Sequence, residues 1–245
     1  MTGTTEGRPT RQAADSAFAR ARHETVRYHE EFYASAAVGQ PGTWMEEPDQ
    51  LMVDALERLP QRGTVTAYDL GAGIGRHTLP MLSRLPAGSE VYAVDLLQSA
   101  LDRISSATVP QDGTTLHTVQ SDLADFTFQT AADLIIVFSA IEHLPDEGAI
   151  RVLLERIRAA LNPGGVVAAG IIADRFEVRE DGTPRAALLE SGLSAATAAD
   201  LLADVFGAFS VDYLRSNLAE VDEERDGERY TLRSTLVTFL AKKHQ

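Results

Sequence analysis

Three aspartates close or follow apolar runs at positions where they could hold a ligand: Asp69 after residues 65–68, Asp95 after EVYAV, and Asp122 after a third run at 116–119. Three alternating glycines, Gly71, Gly73 and Gly75, come directly after Asp69-Leu70, and an acid beside an imidazole, Glu142-His143, follows DLIIVF and Ser139. A carboxylate accepts hydrogen bonds from hydroxyls and amines and repels phosphate, whereas histidine titrates near neutrality and can move a proton. Glycine lets a backbone turn sharply or a ligand lie against it.

The elements that must carry these residues read as strand, glycine turn and helix: a β-rich run at 65–68, the turn, then Leu79, Met81, Leu82 and Leu85 on helical spacing. Such a unit begins an open α/β sheet, which collects ligands at the carboxyl ends of its strands. A glycine pattern alone is also what a tight turn needs, so its context decides. Dinucleotide sites want glycine at the first, third and sixth positions, but the sixth counted from Gly71 is Arg76. Asp69 also puts a negative charge where a pyrophosphate would sit on the helix N-terminus. A ligand with an ammonium and a sulfonium is attracted instead, and S-adenosylmethionine is such a ligand. Asp95, 24 positions after Gly71, has the spacing of a carboxylate that binds ribose hydroxyls; capping a helix over 97–104 is a local role compatible with that one. Asp122 could bond an exocyclic amine with Leu123 packed on a base, and a turn or helix cap is the competing reading.

Around this core the chain divides into a polar tail at 1–14, an N-terminal helical lid or extension at 15–60 and the binding domain at 61–245. Phe18, Ala21, Tyr28 and Phe32 predict a helix from Asp15 to about Tyr33, and a second helix is expected over 48–59. Tyr28, Tyr33 and Trp44 could form an aromatic lid over the substrate, or simply pack. Further strands are expected at 133–138 and 166–172, separated by a helix that keeps its register from Ile150 to Leu161 and stops at Asn162-Pro163-Gly164-Gly165. Residues 173–193 read as a charged, irregular insertion. A helix over 195–205, a strand at 209–213, an acidic connection through Asp226-Gly227 and a strand at 235–241 finish an antiparallel pair.

The chain of 245 residues has 36 acidic and 22 basic side chains, a formal charge of −14 that disfavours phosphate backbones, so a small-molecule substrate rather than nucleic acid is expected. With no cysteine there is no disulfide or thiolate chemistry. No apolar run approaches a membrane span and the N-terminus lacks a signal core, so a cytoplasmic protein without a membrane partner is expected. No tight His/Asp/Glu spacing assigns a metal. A dimer contact is an alternative use for the N-terminal extension.

Taken together, DLGAGIGRH, EVYAVD, Asp122 and the NPGG turn resemble the class I S-adenosylmethionine-dependent methyltransferases over residues 64–243. Within them, GRH after the glycines and the ending ERYTLRSTLVTFLAKK are similar to small-molecule members such as the tellurite-resistance methyltransferases. The resemblance implies a doubly wound, Rossmann-like, seven-stranded sheet with six parallel strands and the last antiparallel. By position it assigns Asp69, Gly71 and Gly73 to the methionine half, Asp95 to the ribose, Asp122 and Leu123 to the adenine, and Phe138 and Ser139 to the neighbourhood of the sulfonium; Gly75 and Leu96 complete the cofactor set. Alanine at position 72, where many members have cysteine, removes support for metalloid or thiol acceptors, and Arg76 and His77 match no fixed role and read as helix surface. In-line methyl transfer depends on alignment, and an oxygen or nitrogen acceptor adds a proton to remove, for which His143 and Glu142 are the candidates; a loop and helix cap is the other reading of EHLPDE. A protein that binds the cofactor without transfer, as scaffold or regulator, is the alternative function. Arg76 and Asp69 argue against a nicotinamide-dependent reductase.

Overall fold

The structure, a computed structural model, describes residues 11–60, 63–107, 113–186, 190–225 and 227–245. Most of the expected polar tail, residues 187–189 of the expected insertion and Asp226 lie outside the described residues.

Helices α1 (Arg11–Ser35) and α2 (Gln50–Glu57) precede β1 (Thr66–Leu70); α3 (Thr78–Arg84) leads to β2 (Glu90–Asp95) and α4 (Gln98–Ala107) to β3 (Thr115–Gln120). After β4 (Ala132–Phe138) come one 3-10 turn (Ile141–His143), α5 (Glu147–Ala160), β5 (Leu161–Arg179), β6 (Pro184–Ala186), α6 (Ala195–Phe206), β7 (Ser210–Arg225) and β8 (Glu228–Lys242). The sheet order is β3-β2-β1-β4-β5-β8-β7, with the short β6 paired to β5. Strands β1 to β5 pair in parallel, and β8 runs antiparallel to both β5 and β7. The expected seven strands with the last reversed are therefore present, and the short β6, also antiparallel to β5, is added to them.

The unbroken apolar run of β4 follows from burial on both faces. Leu134 and Ile136 pack with Leu51, Met52 and Ala55 of α2, whereas Ile135 and Val137 pack with Ile150, Leu153, Leu154 and Ile157 of α5. Helix α5 starts where Asp146 accepts the amide of Ala149 at 2.8 Å, and α2 where Asp49 accepts that of Leu51 at 2.9 Å. Those caps fix which faces the helices present to the sheet.

Two expectations change. Helix α1 begins at Arg11, before the anticipated Asp15 start. More consequentially, the segments read as irregular around 173–193 and as an acidic connection after 213 are largely strand: β5 shifts register between Ala173 and Phe176, where Asp174 has φ 50°, and continues to Arg179, while β7 and β8 pair to Arg225 and Glu228. The charges that suggested a loop are matched across the ladder. Glu220 faces Arg233 at 2.7 Å, Glu224 faces Arg229 at 3.5 Å, and the Tyr230 hydroxyl donates to Glu223 at 2.6 Å. The result is a three-stranded arm beside the carboxyl edge of the sheet, opposite α1.

Candidate cofactor and acceptor site

The glycine turn is left-handed at all three glycines, with φ of 79°, 51° and 96° at Gly71, Gly73 and Gly75. Its end is tied to β2 by the Gly71 and Ala72 amides, which donate to the Val94 carbonyl at 2.8 and 3.0 Å. Asp95 is held by the same turn: one oxygen accepts the Gly73 amide at 2.7 Å, the other the Leu97 amide at 2.9 Å. Burial pushes its carboxyl up, and the Leu97 and Gly73 amides oppose that rise. The side chain thus fastens the turn that precedes α4 and walls the smaller cavity at once.

Asp69 sits elsewhere than expected. It is 1% exposed and borders neither of the two cavities described below; the Thr78 hydroxyl at the start of α3 donates to it at 2.6 Å and draws it beneath the turn. Burial raises its pKa to about 6 against the pull of Thr78. Gly73 and Gly75 also line neither cavity, because they shape the turn instead of contacting the space above it. Above Gly73 lies the Tyr33 phenol, which a Cβ at Gly73 would meet at 2.6 Å. Burial, then the charge of Asp95, raises the pKa of that phenol.

A smaller cavity of about 100 Å³ is lined by Gly71, Asp95, Leu96, Asp122, Leu123 and Ser139 among others, bringing most of the expected cofactor residues together. Arg22 of α1 crosses it, donating to Asp122 at 2.5 Å and to the His143 carbonyl at 2.8 Å. The other Asp122 oxygen takes the Ala124 amide at 2.9 Å, so the predicted turn role is also present.

A second cavity, of about 320 Å³, adjoins the first; Thr25, His29, Tyr33, Gly71, Ser139 and His143 line both. Tyr28, Tyr33, Trp44 and Phe138 give it an aromatic wall, and Ile172, Ala219, Val221, Leu232 and Leu236 of the arm give it an apolar one. Trp44 stacks on Phe32 of α1 at 5.2 Å between centroids, which fixes the loop after α1 to that helix. Glycine at 170 leaves room for the Phe138 ring, into which a Cβ there would run.

Arg76 and His77 are not helix surface. The Arg76 guanidinium lies 5.9 and 5.7 Å from the Trp44 and Phe138 ring centres, donates from Nε to the Glu47 carbonyl at 2.7 Å, and lines the larger cavity. His77 is 6% exposed, accepts the Asp49 amide at 3.3 Å and is pushed to about 3 by burial and by Arg76. Their position follows from the residues 44–49, which fold down over α3; local spacing carries no sign of that.

The acid–base pair separates. Glu142 is 3% exposed, borders neither cavity, and accepts the Ser139 hydroxyl at 3.1 Å. Ser139 itself holds a left-handed backbone, φ 50°, with its amide on the Gly170 carbonyl at 2.8 Å, so Glu142 helps position a strained residue at the meeting of the two cavities instead of facing the acceptor. His143 does line both cavities, and its Nδ1 lies 3.3 Å from Glu190, whose side chain is wholly buried. His29 stands edge-on to His143 at 5.8 Å between centroids, with Nδ1 on the Thr25 carbonyl at 2.9 Å. Burial, then the charge of His143, lowers the His29 pKa to about 4. His29, Glu190, Arg22 and Arg175 were missed by sequence reasoning. Only His29 left a signal, lying in the aromatic stripe of α1 beside Tyr28.

Residues 67–165 match a family described as Methyltransferase domain. The trans-aconitate 2-methyltransferase of Methylobacterium radiotolerans is 32% identical over 123 residues, which cover 50% of this chain and 44% of that protein. The chain therefore spans less than half the length of this curated relative. Among solved structures, TehB from Haemophilus influenzae superposes with a TM-score of 0.62 at 16% identity, covering 80% of this chain and 62% of that one. The N-methyltransferase NodS from Bradyrhizobium japonicum, in complex with S-adenosyl-L-homocysteine, gives 0.53 at 14% identity over 90% of this chain and 99% of that one. No helix among the described residues is long and apolar enough to cross a membrane.

Proposed function

We propose, for a chain whose residues 67–165 make up a class I S-adenosylmethionine-dependent methyltransferase domain, that it transfers a methyl group from that cofactor to a small-molecule acceptor. The observation that carries the reading is the pair of adjoining cavities, one walled by Asp95, Leu96 and Asp122 and the other by aromatic and apolar side chains, which meet at Gly71, Ser139 and His143. The residues fit the cofactor: two buried carboxylates, Asp69 and Asp95, surround the turn, which favours a cationic ligand over a diphosphate. The one arginine crossing the smaller cavity, Arg22, is already paired with Asp122. When bound, the cofactor supplies an electrophilic methyl group on a positively charged sulfur.

In this reading Asp95 holds the ribose hydroxyls, and Asp122 with Leu123 and Leu96 flanks the adenine once Arg22 yields its place. Gly71 lets the cofactor approach the backbone, and Asp69 acts from beneath the turn through its charge. Tyr28, Tyr33 and Trp44, carried by the 15–60 extension, act as a lid that excludes water from the acceptor. His143 removes the acceptor proton. A scaffold that binds the cofactor without transfer is the second reading, and the larger cavity disfavours it, because such a protein needs no acceptor space. Calorimetry with S-adenosylmethionine, S-adenosylhomocysteine and NADH tests the cofactor: the first two bind and NADH does not. Binding of NADH alone would overturn it. Methyl transfer from radiolabelled cofactor to any member of a small-molecule panel separates enzyme from scaffold.

A further inference from the structure

Glu190 lies on the connection between β6 and α6, far from the glycine turn in sequence, yet its side chain is wholly buried behind His143. Among the described residues neither carboxylate oxygen nor His143 Nδ1 has a partner in full hydrogen-bond geometry, although the two groups face each other at 3.3 Å and the Thr25 hydroxyl lies near the carboxylate. A buried carboxylate is costly unless a charge compensates it, so its natural counterpart is a facing group that becomes a cation. The order of groups is cavity, imidazole, carboxylate: His143 borders both cavities and Glu190 borders neither.

We infer that Glu190 is the positioning residue for His143, holding the imidazole by Nδ1–H so that Nε2 takes the proton of a neutral hydroxyl or amine acceptor. The inference rests on the methyl-transfer reading above and narrows its acceptor class. As the acceptor's lone pair forms the new bond to the methyl carbon, the carbon–sulfur bond breaks with its electron pair going to sulfur, and the acceptor proton passes to Nε2. The resulting imidazolium is the cation that Glu190 stabilises. A carboxylate acceptor, already ionised at neutral pH, would leave this pair without a task.

The surroundings agree. His29, from α1, spends its Nδ1–H on the Thr25 carbonyl and stays neutral, so it does not compete for the proton. Of the charged groups around His143, Arg22 of α1 meets only its carbonyl, Arg175 of β5 bears on His29, and Asp95 at the end of β2 adds a second negative charge on the imidazole's side of the cavity. Burial works to raise the Glu190 pKa, and the facing imidazole and the Thr25 hydroxyl outweigh it, leaving the carboxyl below its ordinary range and ionised at neutral pH.

The test is an NMR titration of the His143 ring in the full chain, assigned with His143→Gln, for the native protein and Glu190→Gln. The expected result is that Glu190→Gln lowers the His143 midpoint by about one pH unit, roughly a tenfold loss of proton affinity, while the His29 midpoint, which the Glu190 charge supports only weakly, falls by much less. Equal His143 midpoints in the two proteins overturn the inference. Long-range proton–nitrogen spectra of the native protein test it without a variant: neutral His143 carries its proton on Nδ1, and a proton on Nε2 refutes it. Calorimetry with S-adenosylhomocysteine keeps the failures apart. No binding removes the methyl-transfer reading whatever His143 does, whereas binding with an unmoved midpoint removes the Glu190 role alone.

Discussion

Along the edge formed by β1, β2 and β3, each carboxylate is fastened by near neighbours in the chain. Asp69 is held by Thr78, Asp95 by Gly73 and Leu97, and one Asp122 oxygen by Ala124, at separations of 2 to 22 residues. The larger cavity is assembled the other way: its wall runs from Glu24 on α1 to Leu236 on β8, with Ser139 and His143 between them. The first region can form as soon as two strand–turn–helix units pair. The second needs the β5–β7–β8 arm as well as α1, which also closes over the smaller cavity, so substitutions in the arm should change acceptor chemistry and leave cofactor affinity alone.

The largest expected effect belongs to the second region. His143→Gln should lower kcat by roughly 10²–10⁴-fold on a hydroxyl or amine acceptor, the usual contribution of a general base, measured by initial rates at saturating cofactor. An unchanged kcat would leave alignment alone to account for the rate and would erase the chemical distinction between the two regions. Next comes a pH effect in the first region. Asp69 binds its proton more tightly folded than unfolded, so the stability it adds is fully present below about pH 3.8 and is lost as the pH rises through about 6. The shift corresponds to about 3 kcal/mol. His29 and His77, lowered to about 4 and 3, work in the opposite direction: their contribution is present above pH 6.5 and lost on acidification. Asp69→Asn removes only the first effect, so urea unfolding of both proteins at pH 4 and pH 7 should show the variant gaining roughly 2.4 kcal/mol relative to the native chain on going to pH 7. A pH-independent difference would place the Asp69 pKa near its ordinary value.

A smaller change is expected at the ribose position. Asp95→Ala should weaken S-adenosylhomocysteine binding by roughly 1–3 kcal/mol through a lost charged hydrogen bond, read by calorimetry. It also strips an acceptor from the Gly73 and Leu97 amides, so the melting temperature must be followed in parallel. Unchanged affinity would show that the first region is organised around some other group.

The same contrast explains what could be read in the residues. Gly71, Asp95 and the helix that α5 forms announce themselves within short windows, since a turn, a cap and a helical face are each decided by residues a few positions apart. The residue pattern puts Asp69 on the right strand and suggests that it faces the ligand, because nothing local reveals that the Thr78 hydroxyl draws it under the turn. Adjacency makes Glu142 and His143 read as an acid–base couple, but the 3-10 turn sends the first into the protein and the second to the cavities. Glu190 could not have been chosen, for it acquires meaning only when the connection after β6 packs against the 3-10 turn, where the Ser191 hydroxyl donates to the Glu142 carbonyl at 2.9 Å.

The arm supplies the smallest effect and the sharpest control. Acidic residues after 213 suggest a loop as long as each is considered alone, but as a ladder they alternate with partners on β8, and the Glu220–Arg233 pair at 2.7 Å is half-exposed. A solvated pair of this kind contributes about 0.2–1 kcal/mol, so Arg233→Ala should lower stability by no more than that in urea unfolding and should leave S-adenosylhomocysteine affinity unchanged. If the strands past Ala173 owe their form to apolar residues on the cavity side, among them Leu232 and Leu236, the arm tolerates loss of one outer pair and acceptor turnover persists. A loss of several kcal/mol would mean instead that the charge ladder itself holds the arm against the sheet, and the acceptor cavity would then depend on ionic strength in a way the cofactor edge does not.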